Sequence, residues 1–162
     1  MLDRGPAAQT AFRRSLLKVE SSEMARVAGV WTSPAKGSGR MDAQERVRAI
    51  EGHGLEGCAH ARPGTKRQVL FASAEHLEAL GIEHGRIREN FTVEGDDVHS
   101  WPVGQRLRVG EAEFEITMVC DPCSRMDEIR PGLQTELDGK RGMLARVVES
   151  GEVAAGDEVQ LL

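Results

Sequence analysis

The chain has 162 residues, of which 40% are hydrophobic, so it has the size of one domain that can bury a core. Its 21 Lys and Arg residues against 26 Asp and Glu residues give a formal net charge of -5. This charge argues against nucleic acid as a main partner, since non-specific phosphate binding needs a basic excess. No run approaches the roughly 18 apolar residues of a membrane span, and the start lacks a secretory signal. We therefore expect a soluble cytoplasmic protein that makes no contact with a membrane.

The first 23 residues differ in pattern from the rest and are predicted to be an N-terminal extension, disordered or helical. A mitochondrial-targeting segment is the weighed alternative, but Asp3, Glu20 and Glu23 disagree with its acidic-poor composition. Residues 24–162 are predicted to be one domain, which Met24 opens.

From Val27 the chain consists of short apolar runs separated by glycine-bearing turns, a pattern typical of an all-β sandwich or barrel. The predicted strands are Arg26 to Trp31, Val47 to Ile50, Gln68 to Ala72, Phe91 to Val93, Arg106 to Val109, Glu113 to Val119, Met143 to Val148 and Glu158 to Leu161. Turn residues Gly110 and Glu111 predict a hairpin between two of them. With aromatic residues at only 4%, we expect a core of Val, Leu, Ile, Ala and Met.

Two short helices are predicted. The first covers Ala74 to Leu80, with Ser73 as its N-cap and Gly81 as its stop. The second is a helical turn after Cys123, through Ser124 to Ile129.

The most informative motif is Cys120-Asp121-Pro122-Cys123, which stands where the clearest strand runs out into a helical turn. A cysteine at a helix start, with Arg125 nearby, has its thiolate stabilised by free N–H groups and by positive charge. Such a thiolate can be a nucleophile, a sulfur carrier or a soft metal ligand, and the alternative is a small buried hydrophobe. A dithiol redox pair and half a zinc site are weaker alternatives, and Cys120 is predicted to be core.

Three cysteines in a chain without a signal argue against a disulfide framework. A second motif, from Gly54 to Phe71, displays His60, Arg62, Lys66 and Arg67 in an ordered loop before a strand. These groups can bind an anion, and Arg can hold a phosphate through two hydrogen bonds, although a solvated basic loop explains them too.

A third motif runs from Glu89 to Gly95. Asn90 and Thr92 alternate on a short strand, so their hydrogen-bonding groups could meet a heterocyclic ligand, or they could serve only a turn and a strand. The other histidines, His53, His76, His84 and His99, are predicted to be surface or packed residues without an identified partner.

In their order along the chain, these segments resemble the MOSC domain family, named for the C-terminal domain of molybdenum cofactor sulfurase. The segments that carry the resemblance are Ser33-Pro34-Ala35-Lys36, the G-x-x-G-x-x-H loop ending at His60, Arg67-Gln68-Val69, Glu89 to Gly95, Val103 to Leu107, Pro122-Cys123, and Arg141-Gly142 to Gly156-Asp157.

The resemblance implies a mainly β, closed or partly open barrel with a few short helices, and a role in binding molybdenum cofactor or carrying sulfur through Cys123. Cys123 is then the catalytic residue and metal ligand. The residues predicted to line the pocket are His60, Lys66, Arg67, Asn90, Thr92, Arg125 and Arg141. A soft thiolate suits molybdenum and persulfide sulfur, and the basic loop suits the phosphate of the cofactor's pterin.

The chain departs from the family at Cys58, where the family loop usually has Asp after Gly57. The thiol could alter the chemistry, leave it unchanged, or pair with Cys123 in a sulfur relay.

Three functions stay open: the cofactor or sulfur protein with a donor or acceptor partner, a molybdenum-dependent reductase of N-hydroxylated compounds, and a non-catalytic module that binds a small anion or a protein. The reductase needs a separate electron donor, because three cysteines cannot hold a four-cysteine cluster. Pyridoxal phosphate finds no support beyond the presence of lysines.

Overall fold

The computed structural model describes residues 24–162, so the predicted extension over residues 1–23 lies outside the described residues. Eleven strands are present in this part of the chain: β1 (Ala25–Thr32), β2 (Asp42–Gln44), β3 (Arg46–Ile50), β4 (Gly54–Leu55), β5 (Val69–Ser73), β6 (Phe91–Glu94), β7 (Arg106–Val109), β8 (Ala112–Val119), β9 (Met143–Glu149), β10 (Gly151–Ala154) and β11 (Glu158–Leu161). The helices of the described residues are short: α1 (Ala74–Ala79), α2 (Arg125–Ile129), α3 (Leu133–Glu136) and a 3-10 turn (Val98–Ser100).

Seven strands form a closed barrel in the order β1, β11, β7, β8, β9, β5 and β6. Closure depends on β1, which pairs with β6 along one edge and with β11 through Ala25 and Arg26 on the other. The pairs are antiparallel except for β5 and β6, which run parallel across the α1 connection. Strand β2 extends the sheet from β1, and β10, β3 and β4 form a second, three-stranded sheet. The prediction of a mainly β barrel is confirmed.

The centre of the barrel is aromatic. Phe71 packs against Phe91, Phe114 and Trp101 with ring centroids 5.2 to 5.8 Å apart. Each such pair contributes about 0.5–1.5 kcal/mol beyond the burial of its area. Most of the remaining core is Val, Leu, Ile, Ala and Met as expected, but the expectation left out these four buried aromatic residues.

All eight predicted strands are present, and Gly110 turns the predicted β7–β8 hairpin with a φ of 58°. Strands β2, β4 and β10 were not predicted, nor was α3, which restarts after Pro131 at Gly132 with a φ of 87°. Ser73 occupies the N-cap position of α1, but its hydroxyl accepts a hydrogen bond from the Val98 N–H instead of capping the helix.

The helices pack on the outside of the barrel through a second apolar cluster. Leu77 of α1, Met126 of α2 and Leu133 of α3 are fully buried in it. Burial of Met126 anchors the start of α2, and with it the loop that carries Cys123. Within residues 24–162, no helix has both the length and the apolar character needed to cross a membrane.

Candidate functional site

A cavity of about 290 Å³ lies where the loop before β5, the segment before β6, the segment after β8 and the start of β9 meet. Among the residues that line it are six of the predicted site residues: His60, Arg67, Asn90, Cys123, Arg125 and Arg141. The fold thus brings together groups that are up to 81 positions apart in the chain.

The cavity is strongly cationic. Five arginines line it, and no carboxylate does: Arg62, Arg67, Arg88, Arg125 and Arg141. Within residues 24–162, none of the five is in an ion pair, whereas Arg106, Arg108 and Arg146 elsewhere on the barrel pair with glutamates. A concentration of unpaired guanidinium groups on a protein of net negative charge points to an anionic ligand.

Arg141 is the most informative of these groups. It is 7% exposed, and in the described part of the chain its Nε and Nη1 atoms are buried without a hydrogen-bond partner. Burial lowers the pKa of the Arg141 guanidinium below its ordinary value, and negative charge on Cys120, Glu89 and Cys123 opposes that change. A buried, unpaired N–H group costs about 1–3 kcal/mol, so the side chain is arranged for a ligand that would satisfy it.

The backbone beside Arg141 is held rigidly. The Gly142 N–H donates to Nε2 of His99 at 2.9 Å, and the Gly142 carbonyl accepts from the Cys120 N–H at 3.0 Å. Gly142 has a φ of 132°, and a Cβ there would lie 2.3 Å from the Phe71 carbonyl oxygen. Only glycine fits at this position. The close approach of the Gly142 backbone to Phe71 positions the neighbouring Arg141 cation at the cavity.

His99 accepts that hydrogen bond as a neutral imidazole. Burial lowers its pKa below the ordinary 6.5, with Asp97 acting against the change and His76 adding to it. Sequence reasoning identified no partner for this histidine or for two others, and the structure supplies them: His76 lies 3.8 Å from Asp97 and His84 lies 3.4 Å from Glu78.

His60 lies on the cavity wall, half-buried. Its pKa is lowered below 6.5, first by burial and then by the positive charges of Arg88, Arg62, Arg125 and Arg141. A neutral imidazole among cations can accept a proton or a hydrogen bond from a ligand near neutral pH.

Arg88 is a site residue that sequence reasoning missed. It is the one non-glycine residue with positive φ in the described part of the chain, at 69°. The left-handed conformation costs about 1–2 kcal/mol, and such strain is concentrated at functional sites. No periodic pattern surrounds Arg88, so the sequence does not distinguish it from a surface arginine.

Cys123 is exposed, and Cys120 is 7% exposed, yet both line the cavity. The Cys123 carbonyl accepts the Met126 N–H at the start of α2, which has only five residues. So short a helix supplies little dipole, and the surrounding arginines are the main source of positive potential at the thiols. Cys120 was predicted to be core; it is buried as predicted, but on the cavity wall.

Asn90 and Thr92 are tied into the barrel. The side-chain amide of Asn90 accepts from the Leu70 N–H at 3.0 Å and donates to the Trp31 carbonyl at 3.1 Å. The Thr92 hydroxyl donates to Glu89 at 2.6 Å and accepts from the Trp31 indole at 3.0 Å. Thr92 does not line the cavity, contrary to prediction, because its hydroxyl faces this buried network.

Lys66 lies outside the cavity as well. Its side chain is exposed and lines a separate cavity of about 550 Å³, together with Arg146 and Glu115. The predicted grouping of Lys66 with the other site residues is therefore corrected: the chain turns between Lys66 and Arg67, and the two side chains serve different surfaces.

Cys58 is buried behind Asn90. Its Sγ accepts the Ser33 N–H at 3.3 Å and one Asn90 Nδ2 hydrogen at 3.5 Å. An acceptor for two N–H groups is what an aspartate would supply at this position, so the thiol preserves the structural role. Cys58 is absent from the cavity lining, and the structure brings Cys120, not Cys58, to the same wall as Cys123.

Among residues 24–162, no three His, Cys, Asp or Glu side chains converge in a way that could hold a metal ion.

The fold is a small β-barrel with a cationic cavity that is lined by two thiols. The chain belongs to the MOSC domain family, whose model matches residues 59–160. No curated protein sequence matches the chain.

Solved structures share the fold. The YuaD protein from Bacillus subtilis superimposes with a TM-score of 0.70 at 21% identity, covering 85% of this chain and 95% of YuaD. YiiM from Geobacillus stearothermophilus gives 0.69 at 18% identity, covering 85% and 75% of the two chains. YiiM from Escherichia coli gives 0.66 at 19% identity, covering 85% and 69%.

Proposed function

We propose that this protein binds molybdenum cofactor, or carries sulfur for it, through Cys123. The observation that carries the proposal is Arg141, whose buried Nε and Nη1 atoms have no partner in the described residues and which lines the same cavity as Cys123. Membership of the MOSC domain family, often connected with molybdenum cofactor, agrees with it.

The donor set fits the chemistry of the cofactor. Its pterin carries a phosphate, which suits the buried Arg141 guanidinium together with Arg88 and Arg67. Its molybdenum accepts soft ligands, which suits the exposed sulfur of Cys123. When bound, the cofactor supplies a metal that changes oxidation state and sulfur ligands that can be exchanged.

The chain's own residues would hold and shield the ligand. Arg141 and the other guanidinium groups neutralise its charge, and Cys123 supplies the protein ligand or the sulfur-bearing atom. His60, neutral because its pKa is lowered, is placed to take a proton from a bound group. The side chain of Asn90 bonds to β1 and to β5 and so holds these two strands in place beneath the site, rather than contacting the ligand.

The sulfur-carrying form of the proposal has its own support. Cys123 is exposed in a positive environment, and a reactive cysteine must be both accessible and stabilised as its thiolate. In that form the protein needs a sulfur donor and an acceptor. The reductase form would use the same site with a separate electron-donor protein.

The test is metal and pterin content. We would express the protein in a host that makes molybdenum cofactor and measure molybdenum and pterin per chain for the wild type, Cys123→Ala and the off-cavity control Cys58→Ser. Near-stoichiometric metal that is lost only in Cys123→Ala is the expected result for a cofactor protein.

If neither metal nor pterin is present, persulfide on Cys123 is the expected result, seen by alkylation and mass spectrometry. Absence of persulfide as well, with a Cys123 thiol that alkylates only after unfolding, would refute the proposal. It would favour a non-catalytic anion-binding or protein-binding module.

A further inference from the structure

The second thiol of the cavity is not used by the proposed function. Cys120 lines the same wall as Cys123, and its position is fixed by the hydrogen bond from its own N–H to the Gly142 carbonyl at 3.0 Å. In the described residues, its Sγ makes one long contact, 4.0 Å to the Asp121 carbonyl. The sulfur is therefore held at the cavity but is not engaged in a structural bond of normal length.

The surroundings of Cys120 suit a protected nucleophile. Leu70 and Leu144 pack against it and line the cavity beside it, which limits access to reagents that enter the cavity. Negative charge on Cys120 is the largest of the contributions that stabilise the buried Arg141 cation. The thiolate is the attacking form in thiol exchange, and the Arg141 guanidinium lines the same cavity as the Cys120 sulfur.

Two residues, Asp121 and Pro122, separate the two cysteines in sequence, and a turn of that length can bring two Cα atoms within the roughly 4.4–6.8 Å that a disulfide requires. The pairing does not rest on spacing alone. Arg141, more than nine-tenths buried and with two unpartnered N–H atoms at the same cavity, independently indicates that an anion is handled beside the two sulfurs.

We propose that Cys120 is the resolving thiol for Cys123, releasing sulfur from a Cys123 persulfide into the cationic cavity as hydrosulfide. The inference rests on the sulfur-carrying form of the proposed function. It assigns Cys120 a chemical role in place of a packing role.

The step balances without an external oxidant. The sulfur of Cys120 attacks the Sγ of the Cys123 persulfide, and a bond forms between the two cysteine sulfurs. The bond between Cys123 Sγ and the terminal SH group of the persulfide breaks, and that group leaves with the electron pair as hydrosulfide, while the proton that Cys120 loses on becoming a thiolate goes to solvent. The Cys120–Cys123 disulfide is then reduced by an external dithiol, which becomes a disulfide itself.

The experiment loads the full chain with an inorganic polysulfide after reduction and removal of the reductant. It compares the wild type with Cys120→Ser, Cys120→Ala and the thiol-count control Cys58→Ser. Three quantities are measured: sulfane sulfur on Cys123, released sulfide, and the Cys120–Cys123 disulfide by peptide mapping without reduction. Thermal unfolding identifies any variant that fails to fold, and the two substitutions at Cys120 guard against a failure of one.

We expect wild type and Cys58→Ser to release sulfide and form the disulfide, while both Cys120 variants retain the Cys123 persulfide and lose the disulfide. If the folded Cys120 variants release sulfide as fast as wild type, or wild type forms no disulfide while its persulfide persists, the resolving role is overturned and the carrier function stands. If no variant takes up sulfane sulfur at Cys123, the sulfur-carrying function itself is refuted, and the release step with it.

Discussion

Replacement of Arg141 by Met tests the central feature of the cavity. Methionine replaces the apolar stem of the side chain and can stay buried, but it is shorter and removes the guanidinium charge and the two unpartnered N–H groups. A hydrogen bond to a charged group contributes about 1.5–3 kcal/mol, so loss of two such bonds to a ligand weakens binding by about 3–6 kcal/mol. Since about 1.4 kcal/mol corresponds to a tenfold change, the expected loss of affinity is about 100-fold or more.

Stability should change much less than binding. Loss of two buried, unpaired N–H groups removes a penalty of about 1–3 kcal/mol each. Against this gain, the fully buried Glu89 loses the favourable charge of Arg141, and its Oε1 has no partner within residues 24–162. We expect the two effects to offset each other, so that the free energy of unfolding stays within about 2 kcal/mol of wild type.

The assay is titration calorimetry with inorganic phosphate as the probe anion, together with molybdenum and pterin content after purification. Arg141→Lys should bind with intermediate affinity, because an ammonium keeps the charge without the planar donor geometry. Arg146→Met, which removes an exposed arginine paired with Glu115, is the matched control and should bind as wild type does. If Arg141→Met retains wild-type affinity for phosphate and wild-type metal content, the assignment of Arg141 as the anion-holding group is wrong.

Three further predictions follow from the surroundings of Arg141. Arg88→Gly relieves a positive φ, so phosphate affinity should fall while chemical denaturation shows stability unchanged or up to about 1 kcal/mol higher; a large loss of stability would contradict the strain argument. Gly142→Ala forces a Cβ to within 2.3 Å of the Phe71 carbonyl, so it should destabilise by about 3 kcal/mol or more in urea unfolding, and near-wild-type stability would be inconsistent with the packing. Burial lowers the pKa of His99, so between that pKa and 6.5 the unfolded state binds more protons. The free energy of unfolding that neutral His99 contributes is therefore fully present above pH 6.5 and is lost as the pH falls below that value. We expect His99→Gln to reduce the pH dependence of the free energy of unfolding, measured from pH 5 to 7.5.

The barrel was largely predictable because its strands alternate or are continuously apolar over four or more residues. Strands β2 and β4 escaped prediction because they have three and two residues, and Ala43, the apolar residue of Asp42–Gln44, is exposed. These strands form only because β1 and β3 offer them an edge. Tertiary pairing, which sequence periodicity does not contain, decides such elements.

Residues of the candidate site were predictable from the sequence where the residue type is chemically distinctive. They were not predictable where the role of a residue depends on its hydrogen-bond partners. Cys123 stands out by residue type and by family pattern, whereas Arg141 was indicated only by the resemblance to the family. Asn90 and Thr92 also carry polar groups, but both groups form hydrogen bonds with Trp31, which is far away in the sequence. No local pattern shows these bonds. The pairing of β8 with β9 is irregular between Ile116 and Met118, and this irregularity changes which side of the sheet the last residues of β8 face. The position of Cys120, the residue after β8, depends on it.

The cavity is costly to the protein when no ligand is bound. Arg141 is buried without partners, Arg88 is held at a positive φ, and the pKa of His60 is lowered by the cations around it. No carboxylate of the cavity wall offsets these charges, although the chain as a whole carries an excess of acid. An anion that binds only the folded state recovers part of that cost, with about 2.7 kcal/mol gained at a concentration 100 times its Kd. Under the proposed function, the arginines whose burial is costly also give the fold its preference for a charged ligand, beside the sulfurs of Cys120 and Cys123.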